Sequence, residues 1–177
     1  MQKLRELSIR DSLSGLFNRR ELFRRLELMY GDMPKERTET LTRDGHYIAM
    51  FDVDNFKKLN DTYGHSFGDR VLIDVSRVLH DVARPEHGEI TSRYGGEEFV
   101  TVLTAENLDA AFERVDEARR KIAALRWDEH PEVRVSISGG LLSCEDNPDL
   151  THAMHDVDAL LYKAKAAGKD QICVAGA

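Results

Sequence analysis

Two cysteines in 177 residues, Cys144 and Cys173, without CxxC spacing, are too few for a disulfide framework, and no secretory leader is visible. Free thiols in a reducing cytoplasm are the expectation. No apolar run is long enough to cross a bilayer, so no membrane contact is expected of this domain. Basic residues are in deficit: Lys+Arg number 25 against Asp+Glu 32, a formal charge of -7. That balance excludes long-range attraction to nucleic acid or to an anionic membrane, and no basic track along the chain restores it. A phosphate-bearing ligand would have to be held by local cations and metal. Internal repeats and low-complexity runs are missing as well. What is there is enough length for one domain with a sizeable core.

Met1 to Arg10 places Leu4, Leu7 and Ile9 among charges, which reads as the end of an amphipathic stalk helix leading into a domain of residues 11–177. Asp11-Ser12-Leu13-Ser14-Gly15 breaks that helix, because Asp and Ser bond nearby amides and Gly15 can turn left-handed. Asn18 is placed to cap a helix over about Arg19 to Met29 with Leu22, Phe23 and Leu26 inward, and Gly31 to Gly45 reads as a loop. Tyr47 to Val53 is a mostly apolar run that predicts a buried central strand. Asp54 is then placed to cap a short helix from Asn55 to about Asp61. Thr62 to Gly68 reads as a loop, and Asp69 as the cap of a helix through Ala83. A helix over Leu108 to Arg126 and a strand over Val133 to Leu142, with Gly139-Gly140 allowing close backbone approach, come next. A helix over Leu150 to Ala167 stopped by Gly168, and an edge strand at Asp170 to Val174, complete the order. The sum is an α+β fold, with helices packed over one sheet.

Acid gathers at two points in this order. Asp52 and Asp54 leave the end of the apolar strand from one face, since side chains alternate, and a carboxylate such as Asp52 at that tip wants a cation. Arg93-Tyr94-Gly95-Gly96-Glu97-Glu98-Phe99 joins two β-like runs through paired glycines, which signals a hairpin with a tight turn at φ > 0. Glu97 and Glu98 repel each other there, so they are either solvated or gathered on a divalent metal. If the strand ending at Asp52 lies beside the hairpin, Asp52 and Glu97 converge as the carboxylate pair that two-metal phosphoryl transfer uses.

These residues carry a resemblance. Gly95-Gly96-Glu97-Glu98-Phe99 is the GGEEF form of the GGDEF signature, and the chain resembles the diguanylate cyclase family. Asp11 to Arg20 is similar to the family's DxLTGLxNRR segment, with Ser14 for the usual Thr. Phe51-Asp52-Val53-Asp54-Asn55-Phe56-Lys57, Asn60-Asp61, Gly64-His65 and Gly68-Asp69 follow in the family's spacing. Leu161 to Lys169 resembles its closing segment, with Lys169 where Arg is common.

The resemblance implies a palm-like, mostly antiparallel sheet with surrounding helices. It implies condensation of two GTP into cyclic di-GMP and two pyrophosphates, with two Mg²⁺ or Mn²⁺ per active site. It assigns metal to the side chains of Asp52 and Glu97 and to the Val53 carbonyl, with Glu98 beside them in the catalytic group. Guanine falls to Asn60 and Asp69, a pairing that suits the N1 and N2 donors of that base. The phosphates fall to the backbone amides of Phe56 and Lys57 and to Lys165 and Lys169, and Gly95 and Gly96 let the nucleotide lie against the hairpin. Without the resemblance, Asn60 and Asp69 read equally as helix-terminal residues, and the lysines as a solvated helix end. Each domain would hold one GTP, so catalysis would need a homodimer, and Met1 to Arg10 would lead from an N-terminal sensor in a longer protein. A non-catalytic GTP or cyclic di-GMP receptor of the same fold is the alternative.

One departure stands out. Many relatives carry a product-binding RxxD motif before the hairpin, and the matching positions here are Glu86 and Glu89. An acid in place of the arginine repels an anionic ligand. The expected outcome is therefore no strong feedback inhibition through this site, so added cyclic di-GMP should not inhibit potently. Potent inhibition that changes on Glu86→Ala would overturn this.

Overall fold

The computed structural model describes residues 8–31 and 45–176. The stalk reading at residues 1–7 and most of the loop reading, at residues 32–44, lie outside them. The central strand forms as its sequence predicts. β1 (His46–Val53) pairs antiparallel with β3 (Glu98–Thr104) on one side and with β4 (Ile137–Ser143) on the other. β2 (Ile90–Arg93) pairs antiparallel with β3, and β5 (Ile172–Val174) runs parallel to β4 at the opposite edge. The sheet order is β2-β3-β1-β4-β5, mostly antiparallel.

Both faces of this sheet are covered, which is why β1 is apolar along its length. Tyr47, Ala49, Phe51 and Val53 enter one core with Val71, Val75 and Leu79 of α3 (His65–Val82) and Ala111, Val115 and Ile122 of α4 (Leu108–Ala123). Ile48 and Met50 enter the other, with Leu22 and Leu26 of α1 (Arg19–Tyr30) and Val157 and Leu161 of α5 (Leu150–Ala166). Between β1 and α3 stands the short α2 (Phe56–Tyr63). Asn18 caps α1 as expected, accepting from the Glu21 N–H. Among the described residues no helix is long and apolar enough to cross a membrane.

Several readings are corrected. Thr62 to Gly68 is not a loop: α2 and α3 meet at the single residue Gly64, and α3 begins at His65. Gly68 therefore lies inside a helix, where its missing side chain admits Asn60; a Cβ there would stand 1.7 Å from Asn60 Oδ1. Asp69 consequently caps nothing. Asp54 does not cap α2 either, because Asn55 takes the capping position and Asp54 turns inward to hydroxyl donors. α4 ends at Ala123, three residues short of the predicted end, and β4 begins only at Ile137, although Val133 and Val135 are buried ahead of it. The hairpin needs no left-handed glycine: neither Gly95 nor Gly96 has positive φ, because the connection spans Tyr94 to Glu97 rather than two residues.

The close approach expected at Gly139-Gly140 is real. A Cβ on Gly140 would lie 2.6 Å from the Val157 carbonyl of α5, backbone that cannot yield as a flexible side chain can. Gly140→Ala should therefore destabilise the fold by about 1–3 kcal/mol, the usual cost of overpacking, as read from the midpoint of a urea unfolding curve.

Candidate active site

Pairing of β1 with β3 assembles the site. Asp52 stands directly opposite Glu98 in the ladder, and the Val53 N–H donates to the Glu97 carbonyl at 3.1 Å. The adjacency on which the Asp52–Glu97 reading depends is thus present, with Glu97 in the hairpin connection and Glu98 as the first residue of β3. Asp52 is the one position of β1 that is only partly buried. Its Oδ1 accepts from Lys165 Nζ of α5 at 2.7 Å.

The two opposed carboxylates are held above their usual range. Burial is the main cause for both. For Asp52 the hydrogen bond and charge of Lys165 oppose it, whereas for Glu98 the charges of Asp52, Asp158 and Glu97 add to it. Arg19 opposes the shift at Glu98 as Lys165 does at Asp52, but burial prevails at both. Among the described residues no group of three or more His, Cys, Asp or Glu side chains could hold a metal. His152 and His155 are exposed and belong to no such group. A metal here would rest on Asp52, Glu97 and the Val53 carbonyl, with substrate phosphate completing its shell, a donor set that suits a hard divalent ion.

The remaining predicted residues lie around the start of α2. Asn55 makes no side-chain cap, since its Oδ1 accepts from Lys169 Nζ at 2.6 Å. The first-turn N–H groups of Phe56 and Lys57 are thereby left uncapped by a side chain, and they share the positive end of the helix with Lys169. Asn60 has a buried Oδ1 without a hydrogen-bond partner, pressed against Gly68 beside the exposed Asp69. That acceptor is left unpaired by donors among the described residues, which is uncommon for a buried polar atom. At the hairpin, a side chain on Gly96 would meet nothing within 4 Å, so that backbone is open on its outer side.

Three contributors were not anticipated as such. Arg93 donates to the Gly96 carbonyl at 2.7 Å and to Asp11 at 3.2 Å, while its N–H donates to the Phe17 carbonyl, so it ties the Asp11–Gly15 turn to the hairpin. Burial works against the Asp11 carboxylate, but Ser14 and Arg93 outweigh it and hold that group below its usual range. Asp54 is buried and fully bonded. Its place on the Asp52 face of β1 was legible, but its partners, Ser136, Ser138 and Asp170, are more than 80 residues away in sequence.

Comparison with known proteins places these features. The family model described as "Diguanylate cyclase, GGDEF domain" matches residues 8–171. The chain is 32% identical to the diguanylate cyclase DgcM of Escherichia coli K12 over 98% of its own length and 40% of DgcM. It is 34% identical, over 98% of its length, to the cyclic di-GMP phosphodiesterase PdeR of the same strain, of which it spans 25%. The crystal structure of the coiled coil and GGDEF domain of DgcB from Caulobacter crescentus superposes with a TM-score of 0.84, at 25% identity over 98% of this chain and 89% of that one. The chain thus spans less than half the length of these curated relatives.

The raised carboxylates fix a pH dependence. A carboxylate whose folded pKa lies above its unfolded value binds more protons in the native state. Stability then falls as pH rises from the unfolded pKa through the folded one, and the penalty is complete above it. Glu98→Gln should therefore unfold at a higher temperature than the wild type at pH 7, and the gap should close below about pH 4, where an ordinary carboxyl is protonated. Melting curves across that range decide it; a Glu98→Gln variant less stable at pH 7 would show that the charge is not penalised.

Proposed function

Because the chain belongs to the GGDEF diguanylate cyclase family, we propose that it condenses two molecules of GTP into cyclic di-GMP and two pyrophosphates. The observation that carries this reading is the meeting of Asp52 with Glu97 and Glu98 at one end of the β1–β3 ladder, within reach of Lys165. Mg²⁺ or Mn²⁺, two per site by the family resemblance, would supply Lewis acidity to the phosphates and to the attacking 3′-hydroxyl.

The chain's own residues do the rest. The Asp69 carboxylate accepts from the N1 and N2 donors of guanine, a donor pair adenine does not offer, and the Asn60 amide, which both donates and accepts, adds to the selection. The N–H groups of Phe56 and Lys57 receive phosphate oxygens at a helix start where Lys169 adds charge. Lys165 stands 2.7 Å from Asp52 and 3.9 Å from Asp54, positioned to neutralise charge developing on the phosphates while keeping the Asp52 carboxylate oriented. The Gly95-Gly96 backbone lets the nucleotide lie flat against the hairpin. With one GTP per domain, attack of each 3′-hydroxyl on the other α-phosphorus requires two copies facing each other about a two-fold axis. An N-terminal sensor that controls this pairing, in a cytoplasmic setting, completes the reading.

A receptor that binds GTP or cyclic di-GMP without turnover is the competing reading. Likeness to PdeR, whose name gives a phosphodiesterase, shows that identity of this degree does not by itself fix the chemistry. The intact Asp52, Glu97, Asn60 and Lys165 favour the cyclase. Incubation with GTP and Mg²⁺ followed by product separation should yield cyclic di-GMP, and Glu97→Ala should lower its rate by about 10²-fold or more. GTP binding with no product at high protein concentration would establish the receptor instead.

A further inference from the structure

Three non-glycine residues adopt the left-handed backbone region among the described residues, Asn55 (φ 56°), Lys169 (φ 66°) and Asp170 (φ 47°), and all three meet at one junction. Lys169 Nζ donates to Asn55 Oδ1 across it. Such conformations persist where their surroundings over-determine them, and they gather at functional sites. Asp54 holds the Asp170 end of this junction, while the Lys169 N–H donates to the Ala164 carbonyl. Asp54 Oδ2 accepts from the Asp170 N–H at 3.1 Å and from Ser136 Oγ at 2.7 Å, and its Oδ1 accepts from Ser138 Oγ at 2.6 Å. The Asp54 side chain is 1% exposed, and Lys165 Nζ lies 3.9 Å from it. From the outer side, Arg119 of α4 donates to the Asp170 carboxylate at 2.9 Å. None of the three donors to Asp54 has a role in the nucleotide site described above. Ser136 and Ser138 hold the Asp54 carboxylate at the start of β4, and its bond to the Asp170 N–H fixes the turn that follows α5 against the end of β1.

We propose that Asp54 is a positioning residue for phosphate binding: by holding the Lys169–Asp170 turn it sets where Lys169 stands over the start of α2. The inference rests on the nucleotide reading above. Loss of a purely structural residue weakens every ligand alike. Loss of this one weakens the grip on the β- and γ-phosphates selectively, because guanine is held elsewhere, by Asn60 and Asp69.

The test is a calorimetric titration of the full chain with a non-hydrolysable GTP analogue and with GMP in Mg²⁺ buffer, for the wild type, Asp54→Ala and Asp54→Asn. The wild type should prefer the triphosphate. Asp54→Ala should narrow that preference by about tenfold, with GMP affinity unchanged. Asp54→Asn, whose amide oxygen can still accept from the Asp170 N–H, should keep the preference. An unchanged preference in Asp54→Ala, or an equal loss for both nucleotides, overturns the inference. If Asp54→Ala fails to melt cooperatively, Asp170→Pro removes the same N–H in an exposed turn and forbids its positive φ, and it should narrow the preference as well; no narrowing there overturns the inference. A wild type that binds neither nucleotide sinks the nucleotide reading itself, an outcome distinct from a wild-type preference that Asp54→Ala leaves intact.

Discussion

A carboxylate at the end of a strand buried on both faces must be answered by a cation or lose its charge, and the structure is arranged around that constraint at Asp52. β1 is committed to two hydrophobic cores, so its register cannot slip by one residue without turning Ile48 and Met50 into the opposite layer. With the register fixed, Asp52 has to emerge beside Glu98, and two negative charges are forced together at the rim of the sheet. Burial raises both groups, and Lys165 meets only one of them. A divalent cation shared by the two would relieve the repulsion between them. Stability of the core and chemistry at its edge are thus two consequences of one pairing.

Holding these charges in place requires scaffolding on each side of the sheet's end. On the hairpin side, Arg93 bridges the Gly96 carbonyl and Asp11, so the first turn of the domain braces the connection that carries Glu97. On the β4 side, Asp54 gathers two serines and the turn after α5. The cations are less mobile than exposed lysines usually are, since Lys165 and Lys169 are already hydrogen-bonded to Asp52 and Asn55. Preorganised charge of this kind acts without waiting for side chains to reorient.

The legible part of this arrangement was the part carried by local pattern. The apolar run of β1, the Asn18 cap, the helices α3, α4 and α5, and a close backbone approach at Gly139-Gly140 all follow from neighbouring residues. Misreadings arose where one residue type serves two purposes. Gly68 reads as a breaker but lies inside α3, where its small size lets Asn60 fit against it. Asp54 reads as a cap because aspartate commonly is one, yet its partners come from residues 136, 138 and 170, which only the folded sheet brings near. Gly95-Gly96 reads as a two-residue turn, but a longer connection removes the need for positive φ. A side chain on Gly96 would meet nothing within 4 Å, so no contact within the chain requires glycine there.

The acids at positions 86 and 89 show how a fold can absorb a departure from its family's pattern. Glu89 is almost fully buried, yet it is not an uncompensated charge: Arg114 of α4 donates to Oε1, Thr104 of β3 donates to Oε2, and Arg84 stands 3.6 Å away. Arg114 also donates to the backbone carbonyls of Thr104 and Val82, so one guanidinium fastens α4 to the ends of β3 and α3. Breaking such a buried pair leaves a charge stranded, which costs more than the pair itself is worth. Glu89 is therefore committed to cohesion between these elements and is not available to bind a ligand at the surface. Glu86, three residues earlier and exposed, keeps its negative charge facing outward. A dianionic dinucleotide approaching this edge would meet one repelling acid and one that is occupied. An arginine and an aspartate at the same two positions would instead have offered a charged donor and an acceptor.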